Sequence, residues 1–292
     1  MSLLNSIGVS HKGSLTLADG NSWNIGASDE NGAFIADKLV KTMQLKCSNK
    51  SNPKLLIVKN NKYAGTKVDF LSSNLENDAN SRAGKSTFCQ LSPAKNNDDL
   101  AVQMMKVSLF FCSQAETHGG VLIHGGLAEK DGVGIILAGP GDIGKTTASR
   151  RLKFPWKSLS DDCTLIVKDK KGTYRAHPWP TWSDFMFGGQ GGSWDVQKSI
   201  PLKAVYLLSR NDKDYVEPIG EGQAACMLNE SADQVWLALA NDFEDDEQRK
   251  AMNIQRFNNI CEMVKKVPVH LLHISRNGSF WEKIEKSLEL NG

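Results

Sequence analysis

The apolar run "VGIILA" at 133–138, followed by "GPGDIGKTT" at 139–147 and "ASRRL" at 148–152, limits the fold more than any other stretch of the chain. A strand that ends in spaced glycines and leads straight into a helix gathers backbone N–H groups around phosphate oxygens. The lysine then reaches the β- and γ-phosphates and the next hydroxyl reaches a metal. Here the loop is Gly139-Pro140-Gly141-Asp142-Ile143-Gly144, the cation Lys145 and the metal-side hydroxyl Thr146, with Thr147 beside it. The match is to G-x-x-x-x-G-K-T between a strand and a short helix that stops near Pro155, and a nucleotide site is expected there.

A second stretch, "AGKSTF" at 83–88, fails the same test. The position five before Gly84 is Ala79, and a polar segment precedes Lys85 where a strand is required, so it reads as a surface turn. Asp142 departs from the usual small or hydroxylated loop residue. A carboxylate beside a polyphosphate repels it unless magnesium or an arginine intervenes, and Arg150 and Arg151 are the nearest arginines along the chain.

Around this centre the elements alternate. "SLTLADGNSWNIGA" reads as a hairpin turning at Asp19-Gly20, "ENGAFIADKLVKTMQLK" as a helix burying Phe34, Ile35, Leu39, Val40 and Met43, and "KLLIVKN" as a buried strand. Residues 72–99, rich in Asn, Ser, Asp and Lys, read as a long loop. A helix through "LAVQMMKVSLFFCSQAE" precedes a hairpin turning at Glu129 to Gly132, whose second strand feeds Gly139. Then come strands "CTLIVKD", "TYRAHP", "KAVYLLS" and "VHLLHIS", helices around "EGQAACML" and "ADQVWLALA" to "CEMVKKV", and a last helix opened by a Ser279–Glu282 capping box. The order predicts an α/β fold with a mixed sheet at 116–292 and a small α+β domain at 1–115.

Composition narrows the partners. Of 292 residues 40% are hydrophobic and 23% charged, with net charge +2, which argues for a globular protein and gives no case for nucleic acid. No apolar run reaches the length of a membrane helix, and "MSLLNSIGVSHKGS" lacks the features of a secretory signal, so no membrane association and a cytoplasmic location are expected. Cys47, Cys89, Cys112, Cys163, Cys226 and Cys261 form no C-x-x-C pair and read as reduced, mostly buried thiols.

"HGG" at 124–126, the phosphate loop and "LSDDCTLI" at 159–166 follow one another as in the HPr serine kinase/phosphorylase family, which is related in fold to phosphoenolpyruvate carboxykinases. With its tail "PLKAVYLLSRND…EGQAACML…VPVHLLHISRNGSFWEKIEKSL", the chain most resembles the kinase-like proteins encoded beside peptide-modification genes, including the SynChlorMet cassette protein C family. The resemblance covers about residues 116–292. It implies an HPr-kinase-like sheet with a phosphate loop, and an ATP- and Mg2+-dependent kinase acting on a Ser or Thr hydroxyl of a peptide or small protein. In that reading Lys145 and the loop amides hold the β- and γ-phosphates, and Thr146 and one of Asp161 or Asp162, here Asp161, hold magnesium. The other aspartate takes the hydroxyl proton, and His124 sits beside the pair. A homo-oligomer is compatible with the resemblance. The chemistry agrees, since phosphoryl transfer asks for positioning, charge neutralisation and one carboxylate near the nucleophile. The alternative is a nucleotide-dependent peptide-binding module without transfer, which Asp142 favours.

Weaker signals remain. His270 and His273, three apart on a strand, face opposite ways and cannot readily share a metal. The acidic run 242–250 reads as a solvated helix entry. "PWPTWSDFMFGGQGGSW" at 178–194 sets Trp179, Trp182, Phe185, Phe187 and Trp194 among glycines at 188, 189, 191 and 192, either as core or as a peptide-binding lid. Asp184 is the nearest carboxylate there to the family's acidic substrate motif, which has no clear counterpart in this chain.

Overall fold

The computed structural model describes residues 10–47, 55–59, 66, 68–72, 87–237 and 246–290. It is a mixed α/β structure of two compact units, one built from Met1–Phe111 with Pro180–Gln197, the other from Cys112–Trp179 with Lys198–Gly292.

In the first unit, β1 (Ser10–Thr16) and β2 (Ser22–Ala27) pair antiparallel. The turn forms where Asp19 and Gly20 predict it: Asp19 accepts from the Asn21 amide at 2.8 Å, and Gly20 takes φ 91°, open to glycine at no steric cost. Helix α1 (Glu30–Thr42) starts because the Asp29 carboxylate accepts the otherwise unpaired amide of Gly32 at 2.8 Å. It buries Ile35 and Leu39, with Met43 just beyond it; Phe34, read from the sequence as part of that apolar set, is half exposed, one position off the stripe. Strands β3 (Leu55–Lys59), β4 (Val68–Ser72) and β5 (Thr87–Leu91) complete a mixed sheet in the order β1-β2-β3-β5-β4.

Strand β5 corrects the expected loop at 72–99. "TFCQL" runs parallel to β3 and antiparallel to β4, and it buries Cys89 and Leu91 at period two, a pattern too short to stand out beside a polar neighbourhood. Lys85 and its neighbours lie outside the described residues. Helix α2 (Asn97–Glu116) follows.

Segment Pro180–Gln197 joins the first unit, whereas the sequence reading assigned it to 116–292. Trp182 Nε1 donates to Ser108 Oγ at 3.1 Å and the Trp194 amide to the Thr42 carbonyl at 2.7 Å. Both indoles are buried, and the Phe185 ring lies where a Gly191 Cβ would come within 2.2 Å of it. The glycines therefore make room for the rings. Phe187, at φ 54°, stays exposed.

The second unit holds a nine-stranded mixed sheet. β6 (Val121–Ile123), β10 (Cys163–Lys168), β11 (Tyr174–Trp179), β12 (Ile200–Arg210), β8 (Val133–Ala138), β7 (Gly125–Lys130) and β9 (Lys157–Ser160) are neighbours in that order. β14 (Val269–Ile274) runs parallel to the far half of β12, and β13 (Tyr215–Pro218), which the sequence reading did not anticipate, pairs with β14. Hairpin β7–β8 turns at Asp131 and Gly132, both at positive φ, as a two-residue connection requires.

Period-two alternation splits the core. Ile136, Ala138, Val205 and Leu207 face α4 (Glu221–Trp236) and α5 (Asp246–Val264). Ile135, Leu137, Tyr206 and Leu208 face α3 (Lys145–Arg151) and α6 (Phe280–Leu290). Each of the Ile, Leu and Val side chains among them contributes about 1.5–3 kcal/mol on burial. The two helices expected around "EGQAACML" and "ADQVWLALA" are, over the described residues, one continuous α4. Among the described residues no helix is long and apolar enough to cross a membrane.

Candidate functional site

Strand β8, flanked by β7 and β12, delivers the glycine-rich loop to the edge of the second unit's core. Gly139 at φ 147° and Gly144 at φ 106° occupy left-handed backbone where a side chain is strained, so both turns of the loop depend on glycine. Asp142 takes φ 59°, a conformation Asp tolerates better than most residues, and it is exposed.

Lys145, the first residue of α3, is buried, and its ammonium donates to the Gly139 and Pro140 carbonyls, each at 2.9 Å. Burial lowers its pKa, against the charges of Asp162 and Asp142, which raise it. Arg210, at the end of β12, donates to the Ile143 carbonyl at 3.3 Å and also to the Asp142 carbonyl, clamping the loop from outside. Arg151 is committed elsewhere: it donates to Ser275 O at 2.8 Å and Gly278 O at 2.7 Å and lies over the Phe280 ring. The arginine that reaches the Asp142 backbone is thus Arg210, distant in sequence and brought in by the parallel β8–β12 pairing. Thr146 is half-buried and Thr147 exposed.

The connection between β9 and β10 carries Asp161 and Asp162. Ser160 fixes it, accepting from the Leu127 amide at 3.3 Å and donating to the Cys163 carbonyl at 2.9 Å. Thr164 donates to the Gly125 carbonyl at 2.7 Å. A Cβ on Gly126 would lie 2.8 Å from Ser149 Oγ and 3.2 Å from Asp161 Cα, so the second glycine of "HGG" is what lets this turn pack on β7 and α3.

Between β6 and β7, His124 Nε2 meets Asp162 Oδ1 at 2.9 Å, and Nδ1 meets Gln234 Oε1 of α4 at 2.9 Å. The Cys163 thiol donates to the other Asp162 oxygen at 3.5 Å. Burial pushes the Asp162 pKa up, but the hydrogen bond and charge of His124, the Cys163 thiol and the Lys145 charge outweigh it and hold the carboxyl below its ordinary value. Burial, then Asp162, raises the Cys163 thiol well above its own. At neutral pH this corner therefore presents an ionised Asp162 and an unreactive thiol.

The fold thus brings Asp162 within electrostatic reach of both His124 and Lys145, with Asp161 against Gly126. Sequence reasoning missed Gln234, Cys163 and Arg210. Only Arg210 had a signal, as a cation ending the strand beside the loop strand. Among the described residues no three His, Cys, Asp or Glu side chains converge as a metal-holding group. The Thr146 hydroxyl and the aspartates are oxygen donors of the kind magnesium takes, one or two per ion with substrate oxygens.

The profile of the SynChlorMet cassette protein ScmC family matches residues 87–289. The chain belongs to this family. The match runs from β5 to α6, so the family's span contains every residue of the corner just described. No curated protein matches the chain.

Proposed function

We propose that this ScmC-family chain is an HPr-kinase-like enzyme that moves the γ-phosphate of ATP to a Ser or Thr hydroxyl of a peptide or small protein. The observation that carries the reading is the ionised Asp162, held by His124 and electrostatically coupled to a buried lysine that opens a glycine-loop helix. A phosphoryl-transfer site needs these parts: cations and amides for the phosphates, oxygen ligands for magnesium, and a carboxylate for the nucleophile.

In this reading the loop 139–144 and Lys145 bind the β- and γ-phosphates, and the Lys145 ammonium exchanges carbonyl partners for phosphate oxygens. Thr146 and Asp161 would hold Mg2+, which supplies charge neutralisation when bound. Asp162 accepts the hydroxyl proton; its depressed pKa keeps it ionised and ready to accept. His124 orients it and supports the negative charge through Nε2–H. The peptide as substrate rests on the likeness to proteins encoded beside peptide-modification genes.

The test is intact-mass spectrometry of any precursor peptide encoded beside this chain, incubated with protein, ATP and Mg2+, using Asp162→Asn as control. A phosphate-sized gain that the variant loses, by about 100-fold or more in rate, is expected. Nucleotide binding through Lys145 without any gain would replace the kinase by a nucleotide-dependent binding module.

A further inference from the structure

The structure assigns Gln234 as the positioning residue of the His124–Asp162 pair. Helix α4 grips His124 at three points: the His124 amide donates to Ser231 O at 3.3 Å, Ser231 Oγ donates to His124 O at 2.9 Å, and the Gln234 amide lies 2.9 Å from Nδ1. The first two fix the backbone. The third fixes the ring. An imidazole can turn over about its Cβ–Cγ axis, exchanging the sides its nitrogens face, and a partner on each nitrogen selects one setting. With Nδ1 on Gln234, Nε2 meets Asp162 Oδ1.

The residue type fits the task. Ser231 and Gln234 are three apart, on one face of α4, so the helix that aligns the histidine backbone also carries the amide. A side-chain amide offers an oxygen or an N–H to Nδ1 by turning half a revolution, and it carries no charge. A carboxylate in its place would compete with Asp162 for the imidazole; an amide does not. The side-chain hydrogen bond of Gln234 is to His124, so it acts through that ring and is not itself a catalytic residue.

The catalytic consequence rests on the kinase reading; the ring orientation does not. The experiment uses the full chain with 15N-labelled histidine, comparing wild type with Gln234→Met at one neutral pH and assigning the His124 ring signals by their loss in His124→Asn. In the wild type the His124 ring, held by a partner on each nitrogen, should give one sharp pair of nitrogen signals. In Gln234→Met the Nδ1 signal should move and the pair broaden as the ring samples other settings, while His177 and His273 stay in place and report an intact fold. In the transfer assay turnover should fall about tenfold with KM for ATP unchanged, in line with the 10–100-fold lost when outer partners of metal-site imidazoles are removed. If the methionine variant does not fold, Gln234→Asn, which withdraws the amide by one methylene, is read the same way. His124 signals identical to wild type in a folded variant would overturn the assignment. A changed ring signature in a protein that transfers no phosphate would uphold it and sink the kinase reading instead.

Discussion

His270 shows how a residue of no proposed role sets a measurable pH dependence. Its two ring nitrogens are buried with no partner among the described residues, its ring stacks on Tyr206 at 5.5 Å, and burial lowers its pKa. The unfolded chain therefore binds a proton near pH 6.5 that the folded chain refuses, so stability falls as pH drops through that value. His270→Phe keeps the stacking and removes the titration. In urea denaturation the wild type should lose stability relative to the variant between pH 7.5 and 5.5, and a constant difference across that range would refute the argument. The expectation that His270 and His273 go separate ways holds at this scale: His273 stacks on Tyr215 and meets Glu217 at 3.2 Å. The expectation of mostly buried thiols holds for Cys89, Cys112 and Cys163, while Cys47 and Cys226 are exposed. The placement of Lys145 at a helix start and of Asp162 just before a strand was legible because it is written in local spacing. Gln234 was not, because it meets His124 across the fold and nothing in "ADQVW" marks it.

At the scale of elements, the strand–loop–helix run from Val133 was legible because strand, glycines and helix start lie consecutively and agree. What β7 and the β9–β10 turn do to one another was legible only as "HGG", a pattern without a reason until the approach distances are known. Those distances predict a contrast between two glycines. Gly126→Ala forces a methyl against Ser149 Oγ, the Ser160 carbonyl and the Asp161 backbone, and should cost about 1–3 kcal/mol. Gly220, the N-cap residue of α4 at φ −68°, has nothing within 4 Å of its Cβ position, and Gly220→Ala should stay within about 0.5 kcal/mol unless its N-cap preference adds a few tenths. Denaturant midpoints of the two variants decide it: equal midpoints would mean that β7 and the aspartate turn do not pack as closely as described.

At the scale of the whole chain, the first unit runs to Phe111 and takes back Pro180–Gln197, a return that nothing local in the sequence marks. Aromatics among glycines look alike whether they form a lid or a core, because the deciding partners, Ser108 and the Thr42 carbonyl, are remote in sequence. The segment leaves the second unit after β11 and re-enters at β12, where Ala176 and Ile200 are cross-strand partners, so the second unit's sheet closes without it. This permits a prediction specific to each unit. Replacing residues 180–197 by a short Gly-Ser linker in the full chain removes Trp182 and Trp194 from the first unit, together with the hydrogen bonds to Ser108 and Thr42. It leaves β8, β12 and β14 with all their pairings. Amide hydrogen exchange should then show lost protection in α1 and in β1–β2 while β8 and β12 keep theirs, since opening energies follow cooperative units rather than sequence distance. Protection lost equally in both units would mean that they unfold as one, and unchanged protection in α1 would mean that the aromatic segment is no part of the first unit's core.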